Sequence, residues 1–366
     1  MPLGVAAQLF SNLPEAGSYI IDPTKFLELT SPVKAQLNNQ SFPTSGPVMQ
    51  AMAKEGVLSH LRVVLTGTLV VGVAAATTGT DWPYGLLDEF KLSVSGGKDL
   101  WYCNGKDLDA LRIVNHRPVA QAVDQFTGTV GGGDTVAVGS YPFYLNYDVP
   151  IAIDQSSLAA ALFCQSDSGV INTSVEIAAL ASPLITPGAT GTVAITGGTI
   201  SYFPKHFSVP YDNQGKLILP DLSMIHMFNA VELPFSSTGL VPFDLIKTGG
   251  QLERLFWSGQ VSSGSPLSAL PNAASTNKID AANFSFGLAT TPINWTPAAV
   301  AASENQDAYG QVLPYDRYVL DTLENNAIRD AILLMGMTTP RVEVTIDSGV
   351  TPTATSKMRF VEEVLV

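Results

Sequence analysis

The chain has 366 residues, more than the roughly 250 to 300 at which one core stops growing, so two cores are expected. Only 14% of its residues are charged, against about 25% in ordinary soluble domains, and mean hydropathy is +0.21, so a monomer would leave apolar surface uncovered and an oligomer is expected. With 32 Asp and Glu against 19 Lys and Arg, the formal net charge of -13 excludes a nucleic-acid groove built on clustered cations.

The opening MPLGVAAQLF lacks the basic segment of a secretory signal, and no run approaches the ~18 apolar residues that would span a bilayer. A soluble, non-exported protein is the expectation, and the sequons at Asn39, Asn172, Asn283 and Asn294 read as chance matches. Residues 1 to 55 are interrupted by Pro2, Pro14, Pro23, Pro32, Pro43 and Pro47, a density that breaks long helices and central strands and predicts an extended arm.

From Gly56 the pattern becomes strand-like. In GVLSHLRVVLTGTLVVG, Leu61, Val63 and Leu65 share one face and Arg62 and Thr66 the other. EFKLSVSGG repeats this period, with Phe90, Leu92 and Val94 turned in. YPFYLNYDV gives the clearest case: Phe143, Leu145, Tyr147 and Val149 alternate with Tyr144, Asn146 and Asp148. TSVEIAAL, GTVAITGGTISYF, SMIHMFNAVELPF, RVEVTID and KMRFVEEVLV continue the series. Short helices are expected at LLDEF after Pro83, at Gln155–Cys164 capped by Asp154, and at Asp316–Gly336, where Leu320, Leu323, Ala327, Ala331 and Leu334 recur at helical spacing. Strands dominating both halves predict a mainly β protein of two sandwiches, divided near Pro210.

Motifs that would carry chemistry are scarce. VGGGDT, from Val130 to Thr135, has neither the lysine nor the spacing of a phosphate-binding loop, and a strand follows it; its glycines suit a corner where a strand opens. His60, His116, His206 and His226 stand apart, with no metal-ligand spacing, and read as structural or surface residues. Cys103 and Cys164 read as small buried hydrophobes in a reducing cytoplasm. Two acidic pairs, Asp88 with Glu89 and Asp107 with Asp109, lie near Trp82, Tyr84 and Trp101, whose rings could stack on a sugar. Such neighbouring acids are more often solvated turn residues, and the rings more often plug a sandwich. No catalytic, cofactor-binding or metal-ligating residue is assigned, and neither a cofactor nor a metal is expected.

The order of these stretches resembles the double jelly-roll major capsid proteins of tectivirus-like bacteriophages, icosahedral and with an internal membrane. The resemblance runs from GVLSHLRVVLTGTLVV through DWPYGLLDEF, KLSVSGGKDLWYCNG and DVPIAIDQSSLAAALF to SYFPKHFSVP in the first half. In the second it runs from NQGKLILPDLSMIHMFNAVEL through VPFDLIKTGGQLERLFWSGQV, taken as helix then strand, to RVEVTIDSGV and FVEEVLV. It implies two tandem eight-stranded jelly rolls, with an arm to residue 55, a first roll over 56–210 and a second over 211–366. It also implies a structural protein, not an enzyme: a homotrimeric, pseudo-hexagonal capsomer of a virion shell, assembled in the host cytoplasm. Its partners would be copies of itself, neighbouring capsomers and minor capsid or penton proteins. The arm would face the internal membrane, its proteins or a neighbouring capsomer, and no sequence-specific nucleic-acid contact is implied. Alternatives are a carbohydrate-binding or carbohydrate-cleaving β-sandwich protein, or another virion component such as a spike or tail.

Overall fold

The computed structural model describes residues 19–94, 98–115, 130, 132–165, 170–245, 250–262, 265–269, 278–285, 293–295, 297–311, 313–322, 332–333 and 340–366. The principal strands of the first half are β1 (Val57–Gly72), β2 (Leu87–Val94), β3 (Lys98–Cys103), β4 (Gly139–Val149), β5 (Ile171–Ile177) and β6 (Thr192–Phe207). β1 lies between β4 and β6, antiparallel to both, and Leu162–Phe163 extends this sheet from β1. The facing layer runs β3-β2-β5 and ends on the short strand Val48–Ala51. The period-two reading of β1 and β4 holds: Leu61, Val63, Leu65, Phe143, Leu145, Tyr147 and Val149 are buried between the layers, and Arg62, Tyr144 and Asp148 are only partly covered. In β2, Phe90 and Leu92 are buried and Val94 is partly exposed.

The second half repeats the plan with β7 (His226–Pro234), β8 (Gly239–Asp244), β9 (Gln251–Ser262), β10 (Ile279–Ser285), β11 (Tyr318–Asp321), β12 (Arg341–Ile346) and β13 (Lys357–Leu365). One layer runs β9-β13-β7, with β11 also paired to β9. The other runs β8-β12-β10 and ends on Ile293–Trp295. Trp257 fills the space between them, its ring 4.7 Å from Tyr318 and 6.0 Å from Trp295. With Leu162–Phe163 and Val48–Ala51 counted in the first sandwich, and Ile293–Trp295 in the second, each has eight strands among the described residues, besides short edge pieces.

The two sandwiches meet edge to edge. Phe228 and Asn229 of β7 pair in parallel with Trp101 and Tyr102 of β3, so one layer of each merges into a continuous sheet of ten strands. The expectation of two separate cores is modified here. The first core also takes in Ile225, Met227, Phe228, Phe256, Leu313, Val319 and Val361, because β3 and β7 leave no solvent gap between the halves.

Among the described residues, three helices punctuate the sheets: α1 (Pro23–Leu29), α2 (Gly105–Val114) and α3 (Ala299–Tyr309). In α3 the buried amide of Asn305 accepts from Val319 N at 2.9 Å and donates to Val319 O at 2.8 Å, fixing the helix to β11.

Several local expectations are corrected. The arm is built into the fold from residue 19: Tyr19–Ile20 pairs with Ile218–Leu219, Pro32–Lys34 and Gln40–Ser41 pair with β6, and Val48–Ala51 pairs with β5. The prolines confine these pieces to sheet edges, and the Phe26 side chain of α1 is buried against Val57, Ala152 and Phe207. Residues 1–18 lie outside the described set. Gln155–Cys164 is no helix: Leu158 (φ 53°) and Ala160 (φ 62°) are left-handed, and the Asp154 carboxylate accepts from Ser156 N and Ser157 N to hold a turn. Its Leu158, Ala160, Ala161 and Leu162 are all buried, whereas an amphipathic helix would expose some of them. Of Asp316–Gly336, Tyr318–Asp321 is β11 and Ile332–Leu333 pairs with β9, and residues 323–331 and 334–336 lie outside the described set. LLDEF reduces to one helical turn, Tyr84–Leu86, followed by strand, and VPFDL, taken as helical, belongs largely to β8.

Candidate functional site: the charged seam between the two sandwiches

α2 starts directly after β3, and its first turn places a carboxylate at the seam. Asn104 Oδ1 accepts from Asp107 N, and Asp107 Oδ2 accepts from Asn104 N, both at 3.0 Å, a reciprocal capping box that satisfies two otherwise orphaned amides. The Asp107 side chain is fully buried. Arg317, just before β11, reaches its Oδ1 through Nη2 at 2.6 Å and Nε at 3.0 Å. Arg359 of β13 reaches Oδ2 through Nη2 at 2.6 Å and Nε at 3.1 Å. Arg359 Nη1 continues to Glu232 of β7 at 2.8 Å, and Glu232 accepts from Lys357 Nζ at 2.6 Å.

Burial alone would raise the Asp107 carboxyl, but the Arg359 and Arg317 guanidiniums hold it well below the usual aspartate range. One acid from the first half is thus gripped by two forked cations from the second. Such a pair is expensive to break, by about 3–5 kcal/mol, because the surviving charges stay buried.

A second polar group lies beside the first. Arg254 of β9 donates from Nε to Asp321 Oδ2 at 3.0 Å and from Nη1 to Glu363 Oε2 at 3.2 Å, and its Nη1 also contacts Asn115 Oδ1 at 3.3 Å, just beyond α2. Tyr309, closing α3, donates to Asp321 Oδ2 at 2.7 Å. His226 of β7 sets Nδ1 2.9 Å from Pro150 O of the first sandwich and Nε2 3.1 Å from Glu363 Oε1. Its ring stacks edge-on against Trp101, at 5.0 Å.

Beside the Asp107 group is a cleft of about 390 Å³ lined by Asp81, Lys106, Glu232, Arg317, Lys357 and Arg359, among others. Lys106 Nζ pairs with Asp81 Oδ2 at 2.7 Å, and Arg317, Arg359 and Lys357 are committed to Asp107 and Glu232. These charges bind the protein to itself. What the arrangement can do is mechanical: it locks the angle between the sandwiches.

The residues singled out from sequence fall as follows. Trp82 and Trp101 are fully buried and Tyr84 nearly so, in the first core, which removes the stacking platform for a sugar. Asp107 and Asp109 are not solvated turn residues but buried helical ones, and Asp109 pairs with Arg112 at 2.6 Å. Asp88 is exposed, and Glu89 pairs with Lys91 at 2.6 Å. Cys103 and Cys164 are buried thiols, raised by desolvation. In VGGGDT, Gly132 (φ 78°) and Gly133 (φ 97°) turn the chain into Thr135–Val136. A side chain at Gly132 would meet the Gly79 carbonyl at 1.9 Å, so the strand-opening corner is what the glycines serve.

Among the histidines, His60 lies 3.3 Å from Asp148, His206 and His226 are buried, and His116 is outside the described residues. The seam itself was missed. Its signals were the Asn104-x-x-Asp107 spacing ahead of Leu108 and Leu111, and acids set inside apolar strands, Glu253 in QLERLFW and Glu363 in FVEEVLV.

Solved structures share this architecture. The MCP of STIV, Sulfolobus turreted icosahedral virus, matches at 13% identity and a TM-score of 0.64, covering 92% of this chain and 97% of that one. The fold is a double jelly roll. The virus capsid of PBCV-1 matches this double jelly roll at 13% identity and a TM-score of 0.57, over 92% of this chain and 94% of that one. The major capsid protein of bacteriophage PM2 matches at 10% identity and a TM-score of 0.52, over 92% and 98%. No protein-family model matches the sequence, and the search of curated proteins gives no match.

Proposed function

We propose that the chain is the major capsid protein of an icosahedral virion and that its work is adhesion to copies of itself. The observation that carries this reading is the correspondence of the whole double jelly roll, over 92% of this chain and 97% of that one, with the STIV MCP. The seam supports it: a rigid pair of upright sandwiches is what a shell tile needs, and the buried charges are spent on that rigidity. Two similar sandwiches per chain suit a homotrimer with six around its axis, a pseudo-hexagonal capsomer.

Apolar side chains remain exposed in the arm at Ile20, Leu29, Val33 and Met49, and on β8 at Leu240. These suit contacts with neighbouring subunits, and minor capsid or penton proteins would fill the remaining vertices. The arm to residue 55 carries no basic cluster, so it meets protein in preference to anionic lipid. In this reading an arm over 1–55, whose Val48–Ala51 adds an edge strand to the first sandwich, precedes a first roll over 56–210 and a second over 211–366, and the shell assembles in the host cytoplasm. Electron microscopy of the expressed chain tests the proposal. Tiles of hexagonal outline, or shells built from them, are the expected result; dispersed particles of single-chain size would refute it.

A further inference from the structure

Glu253 is the residue the seam leaves unexplained. It is fully buried, and among the described residues neither carboxylate oxygen has a hydrogen-bond partner. Its placement is built in. The pairing of β9 with β13 slips between Leu252, opposite Val364, and Arg254, opposite Glu363, which makes Glu253 the extra residue of a β-bulge. Bulges re-aim side chains, and Thr322 fixes this one by donating both its backbone N and its Oγ1 to Glu253 O. A ligand atom of Glu253 thereby lies within 4.8 Å of one on His226 and one on Glu363.

His226 is oriented for the same point. The Pro150 carbonyl can only accept, so Nδ1 carries the proton there, 2.9 Å away. Nε2 lies 3.1 Å from Glu363 Oε1: a protonated ring donates to that oxygen, and a neutral ring presents its lone pair there as a ligand. Three acids, Glu253, Glu363 and Asp321, thus share this buried site with the one guanidinium of Arg254.

We propose that His226 Nε2, Glu363 and Glu253 hold one divalent transition-metal ion of the zinc class. The donor set of one imidazole nitrogen and two carboxylate oxygens suits such an ion. The His226–Pro150 hydrogen bond is the outer contact that commonly orients a ligating imidazole. The ion would tie β7, β9 and β13 together at the point where Pro150 of the first roll touches them, and so adds to the seam a link that responds to metal supply. Nothing in this site depends on the capsid role, and it is measurable on the isolated chain.

The test uses the full-length chain, stripped with a chelator and titrated calorimetrically with zinc, then with calcium and magnesium, alongside elemental analysis of untreated protein. One zinc per chain, with a rise in Tm on zinc addition and no comparable response to calcium or magnesium, is expected. Glu253→Gln, nearly isosteric, is expected to keep the native circular-dichroism spectrum and to lose zinc affinity by about tenfold or more. Absence of stoichiometric zinc binding, a preference for calcium, or a folded Glu253→Gln that binds zinc as the parent does would each overturn the proposal. The wild-type measurements decide the matter without the variant.

Discussion

The two polar groups of the seam face the same problem, buried charge, and meet it differently. Around Asp107 every partner is supplied by the chain: two guanidiniums and the Asn104 amide surround one carboxylate. Around Glu253 the chain supplies acids and an imidazole but leaves both oxygens of that residue without a hydrogen-bond partner among the described residues. A satisfied cluster fixes geometry permanently. An unsatisfied one leaves part of its stability to something added, so the first should show as a loss on mutation and the second as indifference until metal is present.

The largest expected effect is Asp107→Ala, which takes the carboxylate from Arg317 and leaves Arg359 only Glu232, and should cost about 3–5 kcal/mol in denaturant unfolding. Acid should act through the same residue. A carboxyl whose folded pKa lies below its unfolded one contributes its full stability above the unfolded value and loses it as pH falls toward the folded one. Unfolding midpoints measured from about pH 5 down to about pH 2 should therefore fall in the parent, and fall less steeply in Asp107→Asn.

Asn104→Ala removes one side of the capping box and should cost about 1 kcal/mol. Glu253→Gln in chelator should change stability by less than about 1 kcal/mol or raise it, since the carboxylate it removes has no hydrogen-bond partner to lose among the described residues. Asp244→Asn breaks the exposed pair with Arg341, 2.9 Å apart on β8 and β12, and should change stability by no more than about 1 kcal/mol.

Much of the fold was legible because sandwich strands must alternate: Phe143 to Val149 announces β4 from composition alone. Helices were misread where apolar residues cluster without a face. Leu158, Ala160, Ala161 and Leu162 are all buried, Leu158 and Ala161 against Phe26, Val57 and Phe207, and Tyr318 to Leu320 is buried because β11 is covered on both sides. Local spacing could have revealed α2, since Asn104 and Asp107 frame its first turn. It could not have assembled His226, Glu253 and Glu363, which meet only through the pairings of β7 with β13 and β13 with β9. The expectation that the aromatic rings plug a sandwich holds for Trp101, but local spacing could not show that its cover is β7, from the other half of the chain.

The most direct measurement of the central claim is the mass of the purified full-length chain in solution at micromolar concentration, by sedimentation or native mass spectrometry. Three chains of 38.7 kDa in one stable particle, or larger assemblies built from such particles, is the expected result. A stable 38.7 kDa monomer across that range would contradict it.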